Sequence, residues 1–312
     1  MKPIDILVAG EINPDLVLSG ASEPAFGQVE KLVESAVLTI GSSSAIFACG
    51  AARLGLKVAF IGLCGDDIFG RFMLDEMRRR LVNVDLVMVL PGGSTGLSVI
   101  LNRGADRAIL THPGLMQSLK AEDVSDSLLG QARHLHVASY YLQTGLHPGL
   151  PDLFHRARSL GLTTSLDPNY DPAEQWLGIH ELLEATDVFL PNDVEASSLS
   201  GASTVDAAAE LLALKVASLA IKLGASGALG IEGGQKVMIP SLPVEVVDTV
   251  GAGDSFDAGF LYGYLHGWGL DKSLGLAVAC GALSTRAAGG VSAQPTLEEA
   301  LVNLPFNRYN NS

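Results

Sequence analysis

Short apolar runs alternate along the chain with longer stretches whose apolar positions recur every three or four residues. The runs Ile4–Ala9, Val58–Gly62, His134–Ala138, Thr163–Leu166, Val188–Leu190 and Leu219–Lys222 read as buried strands. Between them, helical spacing predicts helices over Ala45–Leu54, Phe69–Leu81, Leu150–Leu160, Val205–Leu214, Ser255–Leu265 and Leu274–Arg286. Gly55, Gly161 and Gly267 fall just past three of these helices, where a left-handed cap residue commonly ends the turn. The succession is that of βαβ units around a mostly parallel sheet.

Two stretches break the rhythm. Asp15–Ile40 and Met88–Thr111 are β-rich, with turns at Pro91-Gly92-Gly93 and at Arg103-Gly104-Ala105-Asp106. They are expected to pair as a small sheet, formed by segments at about 12–40 and 88–112 inserted in one domain spanning residues 1–312.

Composition narrows the function. Hydrophobic residues make up 48% of the 312, enough for a large core, and the net charge of −14 includes no Lys/Arg run. Nucleic acid and anionic membrane are therefore poor partners, and an anionic ligand must be held by local features. Cys49, Cys64 and Cys280 are scattered in apolar or Gly/Ala-rich surroundings, without the spacing of a disulfide framework or a zinc site. The first ten residues read as a core strand rather than a signal peptide, and no apolar run approaches the ~20 residues of a membrane span. A cytoplasmic protein is expected.

The sharpest chemical feature is Asp248-Thr249-Val250-Gly251-Ala252-Gly253-Asp254-Ser255-Phe256, after the strand-like run Val244, Val246, Val247. Small residues let the backbone turn tightly into a helix, so that several N–H groups face outward and cradle an anion. Asp254 then stands where it can take a proton from an attacking hydroxyl. The helix dipole is expected to lower its pKa, and phosphoryl transfer tolerates such a weak base. The alternative is that Asp254 merely caps the helix. Asn192 and Glu195, an i, i+3 pair after a strand, suit a water-rich Mg²⁺, but Asn-x-x-Glu is also a capping box.

Asp248–Phe260 resembles the second signature of the ribokinase, or PfkB, carbohydrate kinases. Asn13-Pro14-Asp15, Gly65-Asp66-Asp67-Ile68-Phe69-Gly70, Asp167-Pro168-Asn169, Asn192-Asp193-Val194-Glu195 and Lys222-Leu223-Gly224-Ala225-Ser226-Gly227 follow the family order over nearly the whole chain. The resemblance implies a three-layer α/β/α ribokinase-like fold with a small β-sheet lid. It implies an ATP- and Mg²⁺-dependent kinase of a sugar-like hydroxyl, dimeric through the lid. Catalysis would rest on Asp254 as base and on Gly251, Ala252 and Gly253 as anion hole. Asn13, Asp15, Gly41, Ser42 and Ser43 would hold the acceptor. Asn169, Asn192, Lys222, Gly224 and Gly227 would hold the nucleotide, Glu195 would serve Mg²⁺, and Asp248 with the Ala287–Ser292 loop would hold K⁺.

The first family signature departs here. Ile46 stands where the family carries a sugar-contacting asparagine, and Ser43 where ribokinase-type members carry lysine. A ribose-like contact is thereby lost, and a less polar or differently shaped acceptor is expected. Neither a Walker loop nor a G-x-G-x-x-G turn occurs. Two further readings stay open. One is a kinase of a nucleoside or phosphosugar, the latter using Arg103 and Arg107 of the lid; the other is a catalytically silent sugar binder.

Overall fold

The computed structural model describes residues 2–20, 23–103 and 106–305. The turn Gly104-Ala105 and the side chains of Arg103 and Asp106 lie outside the described residues.

The chain opens with β1 (Ile4–Ala9), β2 (Pro14–Ser19), β3 (Ser35–Ile40) and α1 (Ser43–Arg53). It continues through β4 (Val58–Ile61), β5 (Leu63–Gly65), α2 (Ile68–Arg79), β6 (Met88–Leu90), β7 (Leu97–Arg103), β8 (Asp106–His112) and α3 (Asp126–Leu129). Next come β9 (Ala132–Val137), α4 (Leu150–Ser159), β10 (Thr163–Leu166), α5 (Ile179–Leu183), β11 (Val188–Phe189), α6 (Asp193–Ser200) and α7 (Val205–Ala213). The last third holds β12 (Ser218–Lys222), β13 (Ala228–Glu232), β14 (Gln235–Ile239), α8 (Ala252–Leu265), α9 (Leu270–Ser284) and α10 (Leu297–Val302).

Eight strands form the central sheet in the order β14-β13-β12-β11-β10-β9-β1-β4. It is parallel except at one edge, where β13 and β14 add an antiparallel hairpin. Side-chain alternation splits the apolar runs between two cores. Ile6, Val8, Val58, Phe60 and Val188 face α1, α8 and α9, whereas Leu7, Ala59, Leu135, Leu166 and Leu219 face α4 and α7. Each such side chain contributes roughly 1.5–3 kcal/mol by burial, so the layers are held by the same strands that place the loops. α8 lies close on α9 because Gly259 carries no Cβ; one would sit 2.9 Å from Ala277 Cα.

The two rhythm-breaking stretches meet in a four-stranded sheet, β3-β2-β7-β8. Register divides its faces. Asp15, Thr39, Ser98 and Thr111 share one face with Val17, Val37, Ile100 and Ile109; Leu16, Leu38, Val99 and Leu110 share the other with Leu18, Ala36, Leu101 and Ala108. Among the described residues, no helix is long and apolar enough to cross a membrane.

Candidate active site

The carboxyl ends of β1, β9, β10, β11 and β12 lead into the segments carrying Glu11, Ser139, Asp167, Asn192 and Lys222. Open α/β sheets gather ligands at such ends.

α8 supplies the centre. The run Val244–Val247 forms no strand; instead the N–H groups of Val247 and Asp248 both donate to Thr285 O, at 2.8 and 3.1 Å. Gly251 then turns the chain with φ +72°, at a point where a Cβ would meet Gly290 Cα at 2.6 Å. A side chain has neither the conformation nor the room. The helix starts at Ala252, three residues before the expected Ser255, so Asp254 belongs to its first turn. No side chain caps α8, whereas Ser42, Asp67, Asn192, Thr204 and Thr296 cap α1, α2, α6, α7 and α10. Asp254 is thus not a capping residue, and the first-turn amides are available to an anion.

Asp254 is only 6% exposed. Carboxylate oxygens of Asp167, Asp254 and Asp257 all lie within 4.8 Å of one another. Lys222 Nζ donates to Asp167 Oδ2 at 2.7 Å and to both oxygens of Asp257 at 3.4 Å. Two of the trio, Asp167 and Asp257, therefore already hold an ammonium group, which leaves the cluster a poor cage for a metal. Burial, then the Asp167 carboxylate, pushes the Asp254 pKa well above the ordinary range, against the pull of Lys222 and of a hydrogen bond from Ser43. This overturns the lowering expected from the helix dipole: a dipole is worth at most ~2 kcal/mol, less than desolvation beside like charges. Burial raises Asp257 likewise. It opposes the charge on Lys222, but Asp167, Asp257 and Glu195 outweigh it and hold the lysine protonated.

The acceptor candidates gather on the other side. Asp15 opens β2, pressed against Gly41, where a Cβ would lie 2.1 Å from Asp15 Oδ1. Asn13 Nδ2 donates weakly to Asp15 Oδ1 (3.4 Å) and to Ser98 Oγ (3.3 Å), while its Oδ1 is buried without a partner. A hydroxyl donor would satisfy it. Burial pushes Asp15 up to about 7, with Arg107 lowering and Asp248 and Glu11 raising it. Ser42 caps α1, and Ser43 Oγ accepts from Asn169 Nδ2 at 3.0 Å.

Ile46 is 3% exposed and packs on the turn: Cβ atoms added at Gly251 and Gly290 would lie 2.9 and 2.5 Å from it. Its apolar side chain thus shapes the turn that opens α8.

Asn192 and Glu195 form the capping box, with Asn192 N and Nδ2 donating to Glu195 Oε2 and Oε1 at 2.8 and 2.7 Å. Glu195 remains beside Asp167 and Lys222, and burial raises its pKa. Gly224 and Gly227 both have positive φ, and a Cβ on Gly227 would strike Ile239 O at 2.0 Å, so the strand connection alone requires glycine there. Asp248 accepts from Val250 N (3.0 Å) and Gly289 N (2.9 Å), one on each oxygen. His134 and His136 are fully buried and bonded to Ser165, as core residues.

Two cavities flank the turn. One, of about 510 Å³, is lined by Lys222, Gly224, Gly227, Ala252, Gly253 and a largely apolar set including Leu242, Val244, Phe256 and Val278. The other, of about 1060 Å³, lies under the polar face of the small sheet and is lined by Val17, Thr39, Asn102, Arg107, Asp248 and Gly289 among others. Val246 and Thr249 wall both. Asp254 lines neither, though its neighbour Gly253 lines the first. Sequence reasoning passed over Asp257 and Glu11. The available signal was a carboxylate at the end of an apolar strand and a second one three residues after Asp254.

A family model described as pfkB family carbohydrate kinase matches residues 4–297. A protein of Archaeoglobus fulgidus described as an uncharacterized sugar kinase is 32% identical over 226 residues, covering 72% of this chain and 89% of its own length. The 2-dehydro-3-deoxygluconokinase of Bacillus subtilis is 30% identical over 281 residues, 84% of this chain and 85% of that protein. Among solved structures, a candidate Ribokinase II from E. coli in complex with ATP and Mg²⁺ superposes with a TM-score of 0.86. The match covers 98% of this chain and 99% of that one, at 26% identity.

Proposed function

The chain belongs to the pfkB family of carbohydrate kinases, and on that premise we propose that it moves the γ-phosphoryl group of ATP to a hydroxyl of a sugar or sugar-like molecule, with Asp254 as base and the Gly251–Gly253 turn as anion hole. The observation that carries the proposal is the uncapped first turn of α8 beside a buried carboxylate, between two cavities that share a wall.

The apolar cavity beside Lys222, Gly224 and Gly227 takes the nucleotide. Asn13, Asp15 and the Gly41–Ser43 loop hold the acceptor from the small-sheet side. Asp254 accepts the proton as the acceptor oxygen bonds to the γ-phosphorus and the bond to the β–γ bridging oxygen breaks, leaving ADP. The Gly251–Gly253 amides and the Lys222 ammonium offset charge on the moving group. Glu195 and Asn192 are the residues that would hold Mg²⁺ through water, a cation that neutralises phosphate oxygens when bound. Asp248, with a lone pair left on each oxygen, is assigned to K⁺ together with the 287–292 loop. The reaction is placed in the cytoplasm, where ATP is available.

An ADP-release screen over pentoses, hexoses, keto-deoxy acids, nucleosides and phosphosugars tests the reading. Free sugars or sugar-like polyols are expected to release ADP in step with phosphorylated product, more slowly when K⁺ is exchanged for a large organic cation. Sugars that bind without any turnover would replace the kinase by a silent binder.

We assign a second copy of this chain to the apolar face of the small sheet. Its eight residues are all hydrophobic and at least partly exposed, including Leu38 at 37% and Leu110 at 62%. Such a face is costly in water. Leu18→Glu combined with Leu110→Glu is expected to convert a dimer to a monomer in sedimentation velocity. A wild-type monomer under the same conditions would remove the assignment.

A further inference from the structure

Glu11 follows β1 and has no part in the mechanism just described, yet it is 2% exposed and saturated with donors. Its Oε1 accepts from Ser139 Oγ at 2.9 Å and from Ser44 N at 3.3 Å, and its Oε2 from Ser44 Oγ at 2.5 Å. Ser42 Oγ shares its proton between Glu11 O (2.7 Å) and Oε1 (3.0 Å).

The network runs on to Ser43, beside the base. Ser139 N donates to Asn169 Oδ1 at 2.7 Å and Asn169 Nδ2 donates to Ser43 Oγ at 3.0 Å, and the Ser43 hydroxyl is among the groups that bear on the Asp254 carboxylate. Three of these residues carry a left-handed backbone without being glycine: Ser42 (φ +66°), Ser139 (φ +52°) and Asn169 (φ +53°). Such conformations persist where surrounding contacts over-determine them. A carboxylate accepts at both oxygens. An amide that keeps its oxygen at the Oε1 position turns its NH₂ group on the Ser44 hydroxyl, which must then give up its donation and accept instead.

We infer that Glu11 is a positioning residue for phosphoryl transfer: it clamps the Gly41–Ser44 acceptor loop and, through Ser139 and Asn169, fixes Ser43, the neighbour of the base. The inference rests on the kinase reading above. The network touches the acceptor side, and it includes Asn169, expected from sequence to serve the nucleotide, but none of its residues lines the apolar cavity beside Lys222.

Glu11→Gln tests it, with Ser139→Ala as a second variant that removes a single hydroxyl. In both, kcat/KM for the acceptor is expected to fall by about ten- to a hundredfold, the scale of an ångström-level misplacement, while KM for ATP stays within about twofold. Amide hydrogen exchange at residues 43–46 is expected to quicken, with α4 and α7 unchanged. Equal losses on both substrates with faster exchange throughout would overturn the inference, because plain fold damage does that. Unaltered acceptor kinetics would overturn it too. If the wild type phosphorylates no acceptor, the kinase reading falls. The exchange measurement then decides alone, and unchanged exchange at residues 43–46 refutes the clamp.

Discussion

Asp254→Asn is expected to cut turnover by about three orders of magnitude, within the range of a lost general base, while ATP affinity changes little. The substitution keeps size and removes the proton acceptor, so the α8 turn and the nucleotide cavity stay as they are. The pH dependence gives an independent reading. Asp254 works as a base only when ionised, and burial beside Asp167 holds its pKa above the ordinary carboxyl range. In the free enzyme kcat/KM should therefore decline on acidification well before an ordinary aspartate protonates. Asp15, at about 7, pushes in the same direction. Wild-type-like turnover by the variant with a true acceptor would show that the base is misassigned. A pH profile flat down to about 5 would show that no raised carboxyl controls the reaction.

Lys222→Met carries the largest expected effect on stability. The lysine side chain is 13% exposed, and the carboxylates it serves, on Asp167 and Asp257, are 1% exposed. Methionine fills much of the volume but leaves two buried charges unanswered, a loss of about 3–5 kcal/mol. The sign with pH follows from Asp257, whose pKa is raised in the folded protein. Such a group favours the folded state while protonated, below its unfolded pKa, and loses that contribution as pH climbs through the folded value. The deficit of the variant should accordingly shrink in acid and widen in alkali. Adding Asp257→Asn to Lys222→Met should restore part of the loss. Urea denaturation at two pH values checks this; a deficit below about 1 kcal/mol would mean that the carboxylates find water instead.

The chain's periodicity carried the layers because the parallel strands are buried on both faces and helices such as α2, α4 and α7 on one. The edge hairpin β13–β14 was harder to read, since its second strand is mostly exposed and Gly230 interrupts the first. The turn at Gly251 was legible because the small-residue run Gly251-Ala252-Gly253 marks it locally, although the close approach that also demands glycine comes from Gly290 and Ile46, distant in sequence. The pKa of Asp254 was not, because its direction is decided by Asp167 and by burial, both products of chain segments distant in sequence. Glu11 was missed for the same reason. Its partner hydroxyls come from as far away as Ser139, 128 residues along the chain, and a lone acidic residue after a strand announces nothing by itself. The packing of Ile46 on Gly251 and Gly290 was likewise not legible, because those glycines lie far along the chain.

The small sheet is joined to the rest of the molecule at the places where it would touch the acceptor. Asn13–Asp15 leads the chain into it, and Ile40–Ser42 leads the chain back out. Any tilt of that sheet must carry Asp15 and the Gly41 corner along, so that on the proposed reading bringing down the cover and tightening grip on the hydroxyls would be one displacement. Selectivity would then be exercised through angle as much as through contact: a molecule of the wrong girth holds the hinge ajar and the phosphate too far from its target.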